Sequence, residues 1–186
     1  SPPCQGFSTA GKREFLDSRN QLFKEFVRLL SGLQPKVFLM ENVSGMVKGK
    51  MKLIFAEILT MLKSAGYNVK AWLLNAMYYE VPQARQRLIF IGTRNDLNIT
   101  PTCPPGRSKV FTVKDALENC KSEYVKLADS ILYCYDKIKP GSCLSSVHPK
   151  GCGFNSIKVH PDKPCCTITV EGKIIHYSEK RYLCKS

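Results

Sequence analysis

Leu22, Phe23, Phe26, Val27, Leu30 and Leu33 recur with the 3.6-residue period of a helix that lays one face on a core. Asp17 or Ser18 supplies an oxygen that can cap its start, and Pro35 stops it. Lys36-Val37-Phe38-Leu39-Met40-Glu41 breaks the period. A short apolar run ending on an acid predicts a buried strand with Glu41 at its carboxyl end. The helical period returns over residues 50–65 through Met51, Ile54, Phe55, Ile58, Met61, Leu62 and Ala65, and Gly66 supplies the stop. Two further apolar runs, Val69 to Leu74 and Leu88 to Gly92, predict strands.

Helix, strand, helix, strand, strand is the order of an α/β layer, here predicted with a mostly parallel sheet. In such sheets ligands bind beyond the carboxyl ends of the strands, which is where Cys4 (in the opening loop) and Glu41 fall. After Asn95 the texture changes. Prolines and glycines punctuate residues 100–165, and one helix is predicted, over about residues 113–138. Another strand is expected over residues 166–170. Three regions follow: a catalytic α/β portion at residues 1–96, a loop-rich lobe at 97–163, and a segment at 164–186 returning to the first portion.

Composition narrows the class. The chain has 186 residues and is 44% hydrophobic, enough for a real core and too apolar for a wholly disordered chain. No stretch approaches the roughly 18–20 apolar residues of a membrane helix, so no membrane partner is expected. The net charge of +13 makes a polyanion the expected partner, with a lysine-rich solvated surface as the alternative. Nine cysteines, odd in number and irregular in spacing, argue for reduced thiols rather than a disulfide framework. No C-x-x-C pair suggests zinc, and no metal site is expected. The amino terminus has no signal-peptide pattern and no initiator methionine, so the chain reads as cut from something longer.

Three clusters carry the chemistry: Pro2-Pro3-Cys4-Gln5-Gly6-Phe7-Ser8, Glu41-Asn42-Val43, and Gln83-Ala84-Arg85-Gln86-Arg87. Singly, each has a plain reading. A loop cysteine is commonly an inert small hydrophobe, a strand-end glutamate a solvated terminus, an Arg-x-Arg pair a surface ion-pair set. Together, in this order and spacing, they resemble the C5-cytosine DNA methyltransferase family. Pro-Cys-Gln is similar to its nucleophile motif, Glu-Asn-Val to its acid motif, and Gln-x-Arg-x-Arg to its arginine motif. Residues 17–23, Asn75-Ala76 and Val81-Pro82 also match, and the likeness returns at Thr167-Ile168-Thr169, His176 and Arg181-Tyr182-Leu183. The fold implied is a partial Rossmann-like methyltransferase sheet with a small target-recognition lobe.

The resemblance implies a methyl transfer from S-adenosylmethionine to C5 of cytosine in double-stranded DNA. C5 is a poor nucleophile until a thiolate adds at C6 and turns the ring into an enamine. Cys4 is implied as that thiolate. Glu41 would hydrogen-bond N3 and the exocyclic amine. Arg85 and Arg87 would hold the base carbonyl and the catalytic loop, stabilising developing charge. The base must leave the stack to be reached. The loop from Gly6 to Arg19 is expected to close over DNA, with Gly11 as hinge. Gln5, Ser8, Lys12, Arg13 and Gln83 are the implied nucleic-acid contacts. Lys109, Lys114, Lys150 and Lys158 are candidates for backbone contact in the lobe. Pro3 is implied beside the cofactor's sulfonium and Leu22 near its adenine.

Two features depart from the family. Glu80 stands where the family usually has glycine, which predicts a strained turn or weakened phosphate contact. The Gly-rich turn that holds the cofactor is absent from these residues. The expectation is therefore the middle of a larger enzyme, weak in cofactor binding and inactive alone, with an exposed sheet edge. A complementary amino-terminal half on a separate chain is the split-enzyme alternative. A transfer-RNA cytosine methyltransferase and a dead DNA-binding homologue are the other readings. The expected location is cytoplasmic and nucleoid-associated for a bacterial or phage enzyme, nuclear for a eukaryotic one.

Overall fold

The computed structural model describes residues 1–2, 22–118 (Lys50 in its backbone), 120, 125–151, 156–168 and 173–183. The chain divides into two compact units, one of residues 1–75 and 86–105, the other of 76–85 and 106–186. The lines drawn from sequence, after residues 96 and 163, fall elsewhere. The difference has a local cause, because residues 82–84 are hydrogen-bonded to Cys165 in the second unit.

In the first unit, α1 (Leu22–Leu33) buries Phe23, Val27 and Leu30, which share one face at helical spacing. Gln34 closes the helix in the left-handed region, at φ 44°, with its N–H on the Leu30 carbonyl at 2.9 Å. The expected caps, Asp17 and Ser18, lie outside the described residues. Then β1 (Val37–Val43) leads through 3-10 turns to α2 (Lys52–Ser64), which buries Ile54, Ile58 and Leu62. Gly66 follows at φ 93°, a backbone that glycine adopts without Cβ strain. Next come β2 (Tyr67–Asn75) and β3 (Gln86–Arg94).

The sheet order is β1-β3-β2, and β3 is antiparallel to both neighbours. This corrects the mostly parallel expectation. The physical reason is the connection: residues 76–85 contain no α-helix that could carry the chain back across the sheet, so β3 returns alongside β2. The α2 crossover does leave β1 and β2 running the same way, on either side of β3.

The face carrying Phe38, Met40, Leu88, Phe90 and Val69 packs with α1 and α2 in one core. Phe38 sits edge-on to Phe26 and Tyr67, with ring centroids 5.8 and 5.1 Å away. Each such buried side chain contributes about 1.5–3 kcal/mol by leaving water. β1 was expected to be buried throughout, and it is not: Val37 and Leu39, on the other face, are 54% and 62% exposed. Among the described residues β1 is paired on one side only.

In the second unit the single helix expected at residues 113–138 is instead two, α3 (Val113–Leu117) and α4 (Asp129–Tyr135). Thr112 starts α3 through a capping box with Asp115. The helix cannot run on because the backbone near residue 125 is used otherwise. The Val125 carbonyl accepts from the Tyr182 N–H at 2.9 Å, and Lys126 bridges Arg181. β4 (Ile157–Lys158) pairs in parallel with β5 (Ile174–Ile175). The strand expected at residues 166–170 is also corrected. Cys165 makes one bridge, to Gln83, and residues 166–168 are irregular. The Ala84 carbonyl, the next acceptor along that ladder, takes its bond from the Thr167 side chain, at 3.1 Å.

Candidate active site

Glu41 lies two residues before the end of β1 rather than at it, since β1 runs on to Val43. In register Glu41 faces Ile89, and Arg87 faces Val43. Glu41 and Arg87 are therefore diagonal neighbours on one face of the β1–β3 ladder, a separation that long side chains span. They form an ion pair through Arg87 Nε and Glu41 Oε1, with side chains 24% and 39% exposed for arginine and glutamate. Arg87 also donates from Nη1 to the Gln86 carbonyl at 2.8 Å, which fixes the guanidinium near its own strand. Asn42, between the two site positions, turns to the core face. It is buried, and its Oδ1 accepts from the Val43 N–H at 2.8 Å.

The outer side of β1 brings in a residue that no sequence motif singles out. The Glu41 N–H donates to Ser1 Oγ at 2.7 Å. This ties the start of the chain to the acid's own backbone. Ser1 has no motif around it that would reveal this contact, which depends on tertiary placement.

Gln83 and Arg85 belong to the second unit. There the Gln83 N–H donates to the Val81 carbonyl at 2.7 Å and the Arg85 N–H to the Gln83 carbonyl at 3.1 Å, two successive three-residue turns. The Arg85 carbonyl accepts from Ala76 at 3.0 Å, closing the 76–85 loop at its base. Glu80 sits in this loop at φ 62°, in the left-handed region that disfavours a side chain. Its carboxylate meets Arg107 at 3.2 Å, so its charge is directed to that guanidinium. The Arg107 N–H donates to the Tyr78 carbonyl at 2.7 Å, and a Cβ on Gly106 would press on Tyr78 at 3.1 Å.

Cys4, Pro3, Gln5, Ser8, Lys12 and Arg13 lie outside the described residues. Leu22 opens α1 and is 37% exposed. Among the lobe lysines, Lys158 is misassigned by the sequence. Its side chain is buried, with Nζ 3.8 Å from the Tyr135 ring centre and 3.2 Å from the Tyr135 carbonyl. Burial pushes its ammonium pKa down, with Asp136 opposing and Lys180 adding to the effect. A cation enclosed this way is not presented to a phosphate. Lys109 Nζ lies 5.0 Å from the centre of the Phe111 ring. Among the described residues no group of three or more His, Cys, Asp or Glu could hold a metal ion.

The family model of the C-5 cytosine-specific DNA methylases matches residues 1–148. The chain belongs to this family. Type II methyltransferase M1.HphI of Haemophilus parahaemolyticus is 37% identical over 203 residues, covering 98% of this chain and 54% of that protein. Type II methyltransferase M.BspRI of Lysinibacillus sphaericus is 45% identical over 102 residues, covering 55% of this chain and 24% of that protein. The chain thus spans about half the length of the first relative and a quarter of the second. Among solved structures, a protein described as a DNA modification methyltransferase encoded within an Escherichia coli prophage superposes with a TM-score of 0.70. That match is 24% identical and covers 98% of this chain and 64% of its own. The mixed α/β arrangement is therefore a methyltransferase fold, as the family resemblance implied. No helix among the described residues is long and apolar enough to cross a membrane.

Proposed function

We propose that this C-5 cytosine methylase chain carries the catalytic and target-recognition part of a DNA (cytosine-5)-methyltransferase, acting on a cytosine flipped out of double-stranded DNA. The observation that carries the reading is the contact of Ser1 with Glu41 beside the Glu41–Arg87 pair. Cys4 is three residues beyond Ser1, and three residues span at most about 11 Å. The sequence distance bounds how far the proposed nucleophile can lie from Ser1.

In this reading the Cys4 thiolate adds to C6 of the base, and the π pair of the C5=C6 bond shifts to C4–C5 and pushes charge onto N3. Glu41 hydrogen-bonds N3 and the exocyclic amine, where negative charge would otherwise build. Arg87 holds the Glu41 carboxylate in place and shares its positive charge with the site. Arg85 reaches the base carbonyl. S-adenosylmethionine, when bound, supplies an electrophilic methyl group to C5, with Pro3 and Leu22 as this chain's contacts to it. Loss of the C5 proton to solvent then expels Cys4 and restores the ring. Gln5, Ser8, Lys12, Arg13 and Gln83 are the proposed DNA contacts. Its location is where DNA is, the bacterial or phage-infected cytoplasm. The Type II designation of the relatives supports a modification enzyme of a restriction system.

The test is transfer of a labelled methyl group to duplex DNA and to transfer RNA by the protein in its full-length context. Incorporation into DNA cytosine supports the reading. Incorporation into transfer RNA alone overturns the substrate, and incorporation into neither overturns the activity.

A further inference from the structure

Cys165 and Cys166 are adjacent in sequence and unlike in setting. Cys165 is 7% exposed and packs with Val113, Val159 and Ile174, whereas Cys166 is half-buried at the margin of that cluster. Cys165 also anchors the loop before β3. Its carbonyl accepts from the Ala84 N–H at 2.7 Å, its N–H donates to the Pro82 carbonyl at 2.8 Å, and Thr167 Oγ1 donates to the Ala84 carbonyl at 3.1 Å.

We propose that Cys165 and Cys166 form a vicinal dithiol modification site that takes small-molecule disulfides as its oxidant, with Cys166 attacking and Cys165 resolving. The methyl-transfer chemistry does not require this pair, and the inference stands apart from it. Cys166 is the less buried residue of the pair. Interaction with the Cys165 thiol pulls its pKa down to about 7, while the Cys165 thiol is pushed up by the same interaction and by burial. At neutral pH this gives Cys166 a thiolate fraction roughly tenfold above that of an ordinary cysteine.

The exchange balances. The Cys166 thiolate attacks one sulfur of the small disulfide, a mixed disulfide forms, and one small thiolate leaves. Cys165 then loses its proton to that thiolate or to water and attacks Cys166 Sγ, releasing the second small thiol. One small disulfide is reduced to two thiols and the protein pair is oxidised. The product closes a small ring through the 165–166 peptide bond, which must twist to accommodate it. The bonds from Cys165 to Pro82 and Ala84 are the ones that this twist disturbs, and they flank Gln83 and precede Arg85.

The test treats the folded protein with oxidised glutathione and maps the tryptic peptide 159–173, which contains Cys165 and Cys166 and no other cysteine. The expected result is loss of two hydrogens from this peptide, and brief substoichiometric iodoacetamide before oxidation should mark Cys166 in preference to Cys165. Cys165→Ser should stop at a glutathione adduct on Cys166. Hydrogen exchange at the Ala84 amide should speed up in the oxidised protein. A peptide that stays a dithiol under these conditions, or labelling of Cys165 first, overturns the site. Unchanged Ala84 exchange overturns its link to the loop. The wild-type alkylation and oxidation readouts need no variant, so a folding failure of Cys165→Ser leaves the outcome decisive.

Discussion

Glu41 and Arg87 pair diagonally across the β1–β3 ladder, and both side chains keep partial contact with solvent. The antiparallel direction of β3 makes the pair, because it sets Arg87 at the start of β3 beside the end of β1. A partly exposed pair of this kind contributes at most about 1 kcal/mol to stability. Its value lies in orientation. Glu41→Gln should change the urea midpoint by less than this allows, while lowering methyl transfer by at least about 10²-fold, the usual contribution of a positioned acid. Equal losses in stability and activity would mean that Glu41 is a structural residue.

Gly92 is constrained by its neighbour. A Cβ there would overlap the Phe38 ring, itself held between Phe26 and Tyr67. Gly92→Ala should therefore destabilise the first unit by about 1–3 kcal/mol through overpacking. Chemical denaturation measures this, and Phe38→Leu in the same background should recover part of the loss by making room.

Glu80 carries a side chain where the backbone suits glycine, at φ 62°. Glu80→Ala keeps that strain and loses the pair with Arg107, whereas Glu80→Gly loses the pair and relieves the strain. The glycine variant should be more stable than the alanine variant by about 1 kcal/mol. No difference in their denaturation midpoints would show that the loop relaxes by another route.

Burial lowers the His176 pKa, with the Glu179 charge opposing and Arg181 adding to the effect. Its Nδ1 accepts from the Ser178 and Glu179 N–H groups at 3.2 and 3.0 Å, which needs the neutral ring. Because the folded pKa lies below the unfolded one, the unfolded chain binds the proton first. This stabilisation is full above about pH 6.5 and is lost as pH falls through the folded value. Unfolding free energy should therefore drop between pH 7.5 and 5.5, and His176→Gln should flatten that part of the profile.

Periodicity made the helices and strands of the first unit legible, because each buries one face and a helix and a strand show that face at different spacings. Strand direction was not written in the pattern, since β3 reads the same from either end. The unbroken apolar run Val37–Met40 looked buried on both faces, yet Val37 and Leu39 are exposed among the described residues. In the second unit local signals were weaker than tertiary ones. Bonds from the 181–182 segment took the backbone near Val125 that a long helix would have used, and Tyr135 enclosed the Lys158 charge. The candidate site was legible as three motifs. Glu80's strain was foreseen from the glycine that the family usually has there, whereas the Ser1–Glu41 contact depended on folding to be seen.

Cys4 is the proposed nucleophile toward C6 of the base. Duplex DNA carrying 5-fluorocytosine at the target position tests it directly, because fluorine at C5 cannot leave as a proton does and the adduct persists. With S-adenosylmethionine, the full-length protein should give a denaturant-stable protein–DNA complex, and Cys4→Ser should give none. A Ser variant that still traps DNA, or a trapped peptide whose attached residue is another cysteine, would exclude Cys4 as the nucleophile.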